Sequence, residues 1–115
     1  MRQAERDNDQ LGVNLKYCDR IDIAINRFGQ SFDTFSRDIP YQDSCSLCLI
    51  QIGEAVNRLS EGFRQAHPEI EWRRIYGMRC HLVHGYETFD AEIAWDAIEN
   101  YIPPLRAFCE VYFVE

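Results

Sequence analysis

The apolar residues between Leu11 and Tyr112 recur mostly at steps of four and three, and no stretch reads as a strand. That spacing keeps side chains on one face of an α-helix, so the expected fold is all-α. A chain of 115 residues can bury one core, which makes residues 1–115 a single domain by expectation. The first stripe is Leu11, Cys18, Ile21, Ile25, Phe28, Phe32 and Phe35. It predicts one long helix from about Gln10 to Arg37, after a polar, frayed segment 1–9. Gly29 falls inside it, where it would let a neighbouring helix approach closely, and Pro40 is read as the stop. Asp43 or Ser44 should cap a second helix with a stripe of Cys48, Ile52, Ala55, Val56, Leu59, Phe63 and Ala66. A third should follow Pro68, begin with Glu69 and Glu71 at its positive end, and run to about His84, with Gly85 as terminator. After a loop over residues 85–89, Asp90 is placed to cap a last helix carrying Ala94, Ile98, Tyr101, Leu105, Phe108 and Tyr112. Pro103-Pro104 must kink or divide it. The sum is a bundle of four to five helices. Apolar surface left over on so small a bundle would suit a partner or a second copy of the chain.

Nineteen acidic residues against twelve basic ones give a net charge of −7, which argues against a general nucleic-acid binder. The imbalance is uneven. Arg64 to Tyr86 holds four Arg and two Glu, and eleven of the twelve basic residues are Arg. Forked, fixed contacts are therefore favoured over a diffuse cationic surface. No apolar run is long enough to span a bilayer and the first ten residues lack signal-peptide character, so the expected location is the cytoplasm. The five cysteines are then expected as reduced thiols. Cys45-x-x-Cys48 could be half a zinc site or a redox pair, but without a second such pair it reads as helical core. No metal or cofactor is expected.

The stretch Trp72 to Tyr86, WRRIYGMRCHLVHGY, concentrates the chemistry. At about 100° per residue, Trp72, Ile75, Tyr76, Leu82 and Val83 share an arc with Arg79 in its middle. A guanidinium there needs a partner or an anion. Glu54 or Asp90 could supply the partner; a phosphate could be the anion. Arg79, His84 and Tyr86 are the leading site residues, with Cys80, His81 and Arg73 as supporting candidates. Arg matches phosphate oxygens, and His exchanges protons near neutrality, which together suit cleavage of RNA without a metal. On a straight helix, however, Arg79 and His84 lie about 140° apart. They converge only if the helix end distorts or a second chain completes the site. A two-fold axis beside His84 would also present two imidazoles to one cleft. His81 falls opposite the apolar arc and reads as solvent-facing. Each residue also has an ordinary role open to it: Arg79 in an ion pair, His84 against the last helix carbonyls, Tyr86 in packing.

Gly77-Met78-Arg79-x-x-Leu82-Val83-His84-Gly85-Tyr86 resembles the R-x4-H-x-Y signature of the HepT-like toxins, all-α ribonucleases of the HEPN superfamily. Ile52-Gly53-Glu54-Ala55, Pro68-x-Ile70-x-Trp72, Asp90 with Trp95, and Ile102-Pro103-x-Leu105 are similar to that family's pattern in the same order. The resemblance implies a homodimer and a metal-independent endoribonuclease. It also implies a toxin–antitoxin pair whose antitoxin is a minimal nucleotidyltransferase. Carried over, Arg79 stabilises phosphate, His84 is the acid/base residue, and Tyr86 is the acceptor of transferred AMP. The family often has Asn directly after the motif Arg; here the residue is Cys80, and a thiol is a poor substitute for an amide. That departure and the acidic balance support an alternative, a non-catalytic HEPN module that pairs with a nucleotidyltransferase or binds nucleotide.

Overall fold

The computed structural model describes residues 2–84 and 89–115. Its first helix, α1, runs Gln3–Phe28. The segment expected to fray is thus helical, and Asp7 explains why. This carboxylate is only 5% exposed. It accepts hydrogen bonds from the Ser60 amide and hydroxyl, each at 2.8 Å, and from Gln3 Nε2 at 3.1 Å. The expected continuous helix to Arg37 is also corrected. Gly29 ends α1 with a φ of 112°, a conformation that only glycine adopts without strain, and its amide donates to the Ile25 carbonyl. Among the described residues no neighbour lies within 4 Å of where its Cβ would be, so none of their helices approaches closely there. Ser31 then caps a short α2, Phe32–Arg37, by accepting from the Thr34 amide.

Pro40 starts a helix rather than stopping one. Asp38 caps α3, Ile39–Arg58, five to six residues before the expected cap at Asp43 or Ser44. In the first turn, proline forfeits no intrahelical hydrogen bond. The second stripe is split at Leu59: Ser60 caps a separate α4, Glu61–Ala66, and Ala66 is exposed. The third helix, α5, spans Trp72–His84. Asp90 caps α6, Ala91–Asp96, as the sequence suggested. A π-helical turn, Ala97–Tyr101, links α6 to α7, Ile102–Tyr112. Pro103 and Pro104 therefore do not divide the last helix. The wider turn just before them gives room where the proline rings would crowd the preceding carbonyls.

α3 is the central helix, packed most extensively on α1 and α5, while α7 closes on α1. The fold is the expected all-α bundle, four main rods with α2 and α4 as short additions. Leu11, Cys18, Ile21, Leu49, Ile52, Val56, Ile75 and Leu105 lie at its centre. Aromatic groups cap both ends: Phe28, Phe35, Tyr41 and Trp95 at one, Phe63, His67, Trp72, Phe108 and Tyr112 at the other. Arg106 pins α7 to α1 through Asp19 and Asp22, each at 2.6 Å. Cys45 and Cys48 are buried in this core. Burial pushes the Cys45 thiol up to about 12 and raises that of Cys48, which keeps both protonated at neutral pH. Among the described residues, no helix is long and apolar enough to cross a membrane.

Candidate active site

The buried side of α5 is formed by Trp72, Ile75 and Met78, with Tyr76, Leu82 and Val83 half-buried beside them. Met78 extends the arc beyond the residues the wheel assigned to it. Arg79 remains inside that arc, and its side chain is 20% exposed. The group that compensates its charge belongs to the protein. Arg79 Nε is ion-paired to Glu54 Oε1, and the Glu54 side chain is 27% exposed. Of the two carboxylates the sequence offered, α3 supplies the one that reaches. Arg58, one turn further along α3, is 4.0 Å from the other Glu54 oxygen.

Gly53 makes this meeting geometrically possible. A Cβ at position 53 would lie 2.2 Å from Arg79 Cβ and 2.7 Å from its Cγ. α3 and α5 thus touch backbone to side-chain root, and Glu54 is delivered to the guanidinium by the residue next to the contact. In the sequence, Ile52 and Ala55 stand in an apolar stripe and Glu54 is a candidate partner, but Gly53 is marked only by resemblance. The physical meaning of the four together is a helix crossing: glycine gives clearance, glutamate gives charge, and buried Ile52 and Ala55 give packing.

Tyr76 lies one turn before Arg79, with the guanidinium 5.8 Å from its ring centre. Its hydroxyl is hydrogen-bonded to Cys80, which raises the phenol above the usual tyrosine range. Arg79 Nη1 approaches Cys80 Sγ at 3.9 Å. Cys80 is half-buried, with Arg79 and Tyr76 as its polar neighbours.

His84 is exposed at the end of α5, which is α-helical through both Arg79 and His84. No distortion before residue 85 rotates one toward the other, so their directions stay about 140° apart. His81 is exposed, as expected, and so is Arg73. Tyr86 and Gly85 lie outside the described residues. Among the described residues, no group of three or more His, Cys, Asp or Glu side chains could hold a metal ion. Beside Tyr76, between α4 and α5, runs a groove of about 420 Å³ lined in part by Arg64, Trp72, Arg73 and Gly77.

Comparisons with known proteins agree on one family. A protein of Caldanaerobacter subterraneus subsp. tengcongensis named "Putative RNase" is 38% identical over 78 residues, covering 68% of this chain and 70% of the relative. A "Putative RNase" of Methanocaldococcus jannaschii is 36% identical over 73 residues, 64% of this chain and 60% of that protein. The "Probable ribonuclease HepT" of Thermococcus cleftensis is 35% identical over 75 residues, 65% of this chain and 68% of the relative. No solved structure matches. Residues 15–112 match the family described as ribonuclease HepT-like, a span from mid-α1 to the last residue of α7 that includes Glu54, Arg79 and His84. The chain belongs to the HepT-like ribonuclease family.

Proposed function

We propose that this protein is a metal-independent endoribonuclease whose site forms between two copies of the chain. The carrying observation is the placement of Arg79, a half-buried guanidinium set by Glu54 and Tyr76 within the segment that matches a ribonuclease family. Arg79 would hold the scissile phosphate and stabilise the charge that develops on its oxygens. His84 would take the proton of the ribose 2′-hydroxyl as that oxygen attacks phosphorus. The same proton then passes to the departing 5′ oxygen, leaving a 2′,3′-cyclic phosphate and a 5′-hydroxyl. Because one regular helix directs Arg79 and His84 apart, Arg79 of one chain would work with His84 of the partner subunit.

The protein would act as the toxin of a toxin–antitoxin pair, neutralised by a minimal nucleotidyltransferase that adenylylates Tyr86. An AMP group there would place an anion near Arg79 and compete with RNA for it. The experiment is a mixture of two inactive variants. Arg79→Gln and His84→Ala dimers, exchanged in equal amounts with EDTA present, should regain roughly a quarter of parental cleavage. Half of the random pairs are then mixed, and each keeps one of two sites intact. Mixed dimers that form but cleave nothing refute the shared site. A parent inactive on diverse RNAs, with Tyr86 unmodified, refutes the ribonuclease reading. One set of contacts favours a second reading. Glu54 already neutralises Arg79, and Cys80 is engaged by Tyr76. A non-catalytic module that pairs with a nucleotidyltransferase would show tight complex formation and no His84-dependent loss of RNA.

A further inference from the structure

The groove between α4 and α5 has no part in the chemistry above, yet it adjoins it through Tyr76. Its lining is unlike the rest of this acidic chain. Arg64 and Arg73 both face it, and among the described residues neither has a carboxylate partner. Arg74, the next residue, is paired with Glu71 at 2.9 Å, so the lack of a partner at Arg73 is local. Among the described residues, the one acidic side chain at the groove is Glu61, which accepts a hydrogen bond from Gln65 at 3.2 Å. Trp72 and Tyr76 give it an aromatic wall. Trp72 is anchored by donation from its indole nitrogen to the His67 carbonyl at 2.9 Å.

Gly77 points the same way. It is exposed in the middle of α5, and no described atom lies within 4 Å of the position its Cβ would take. Glycine weakens a helix interior, and here the fold of the single chain gives no packing reason for it. A smooth patch beside two arginines and an aromatic ring suits close approach by a ligand.

We propose that this groove is a binding subsite for single-stranded RNA next to the cleaved phosphate, with a base stacked on Tyr76 and backbone phosphates held by Arg64 and Arg73. The inference rests on the ribonuclease reading for its substrate. Tyr76 connects the two places, since its ring lines the groove and lies beside the Arg79 guanidinium. Stacking accepts any base, and two forked cations follow a backbone without reading sequence. The subsite would supply register and affinity, leaving the bond-breaking step to Arg79 and His84.

The test uses a fluorescent ten-nucleotide, mixed-sequence single-stranded RNA and the full chain carrying His84→Ala, which preserves the RNA. Fluorescence anisotropy is followed across a salt series. In that background, Tyr76→Leu should bind about five- to a hundred-fold more weakly. Arg64→Gln with Arg73→Gln should bind at least tenfold more weakly in low salt. The slope of log affinity against log salt should become shallower by about 1.4, two phosphate contacts' worth. All variants should keep the parent's circular dichroism and elution volume. Unchanged affinity and salt slope overturn the proposal, as does a parent that binds no RNA. Variants that lose the nucleotidyltransferase complex or change oligomeric state, with RNA binding intact, also overturn it by assigning the groove to protein contact. RNA binding that depends on both arginines in a protein that cleaves nothing upholds the groove and removes only the ribonuclease reading.

Discussion

Two glycines in neighbouring helices should respond to alanine with opposite signs. At Gly53 the new Cβ would meet Arg79 Cβ at 2.2 Å and Cγ at 2.7 Å, with the Ile75 carbonyl oxygen at 3.5 Å. Neither side-chain atom is a flexible tip, so α3 and α5 must move apart by about 1 Å. Forcing a methyl group into such a contact costs about 1–3 kcal/mol, and the close approach puts Gly53→Ala at the upper end. Better helix propensity returns about 1 kcal/mol, leaving a net loss of about 1–2 kcal/mol. For a domain of this size that is a fall in Tm of about 4–8 °C. Gly77→Ala has the same propensity gain and no described neighbour to meet, so it should stabilise by about 0.5–1 kcal/mol. Thermal and urea unfolding, followed by circular dichroism at one fixed protein concentration, measures both. Under the ribonuclease reading, Gly53→Ala should also lower cleavage by about 100-fold, because shifting a phosphate-binding group by an ångström is enough. A Gly53→Ala protein as stable as the parent, or more stable, refutes the helix-crossing argument.

Other outcomes follow from single contacts. Removing the Glu54 charge with Glu54→Gln leaves Arg79 without its partner, and should destabilise by about 1–3 kcal/mol. A double-mutant cycle with Arg79→Gln should give a coupling of at least about 0.5 kcal/mol, and zero coupling would show that the pair is incidental. Asp7→Ala removes the acceptor for both Ser60 donors, and should lower stability by about 2 kcal/mol in urea unfolding. A change within about 0.5 kcal/mol would mean that α1 does not need this anchor. The Cys45 thiol sets an alkaline limit. Burial raises it from 9.0 to about 12, so between those values the unfolded chain loses a proton that the folded chain keeps. Its contribution is full below pH 9 and falls by about 1.4 kcal/mol per pH unit above it. Urea midpoints at pH 8 and pH 10 should converge in Cys45→Ala relative to the parent; equal pH dependence in both would refute this.

The sequence revealed faces more readily than ends. Stripes of apolar residues report which side of a helix is buried, and those of α1, α3 and α7 are largely core as expected. Helix ends depend on smaller signals that one helical period does not contain. Pro40 has the same ring whether it stops a helix or opens one, and only the Asp38 side chain accepting from the Tyr41 amide decides which. Gly29 could have been a packing glycine or a terminator; its backbone angle makes it the second. Asp7 reads as a solvated acid because its partner is 53 residues away. The site shows the same limit. Arg79 stood out because a cation interrupted an apolar arc, a local pattern. Glu54 was one of two named carboxylates, and choosing it required the α3–α5 crossing, which no spacing within α5 encodes.

Glu54 also bears on how a paired arginine can serve phosphate. A guanidinium buried with no partner would be costly in the free protein, so some compensation is needed before substrate arrives. Glu54 meets that need at Nε, the nitrogen nearest the chain, and so fixes the side chain along its length. The terminal nitrogens extend further, one of them to within 3.9 Å of the Cys80 sulfur, a weak acceptor that a phosphate oxygen outcompetes. The pair is also partly open to solvent, at 20% and 27% side-chain exposure, so an anion can approach without unfolding α5. An arginine held at its inner nitrogen and weakly engaged at an outer one is positioned without being used up. On this argument the ion pair that favours the non-catalytic reading is equally a support for a catalytic Arg79. Glu54→Gln distinguishes the two: if RNA cleavage falls with it, Glu54 positions the cation, and if cleavage appears only in its absence, Glu54 blocks it.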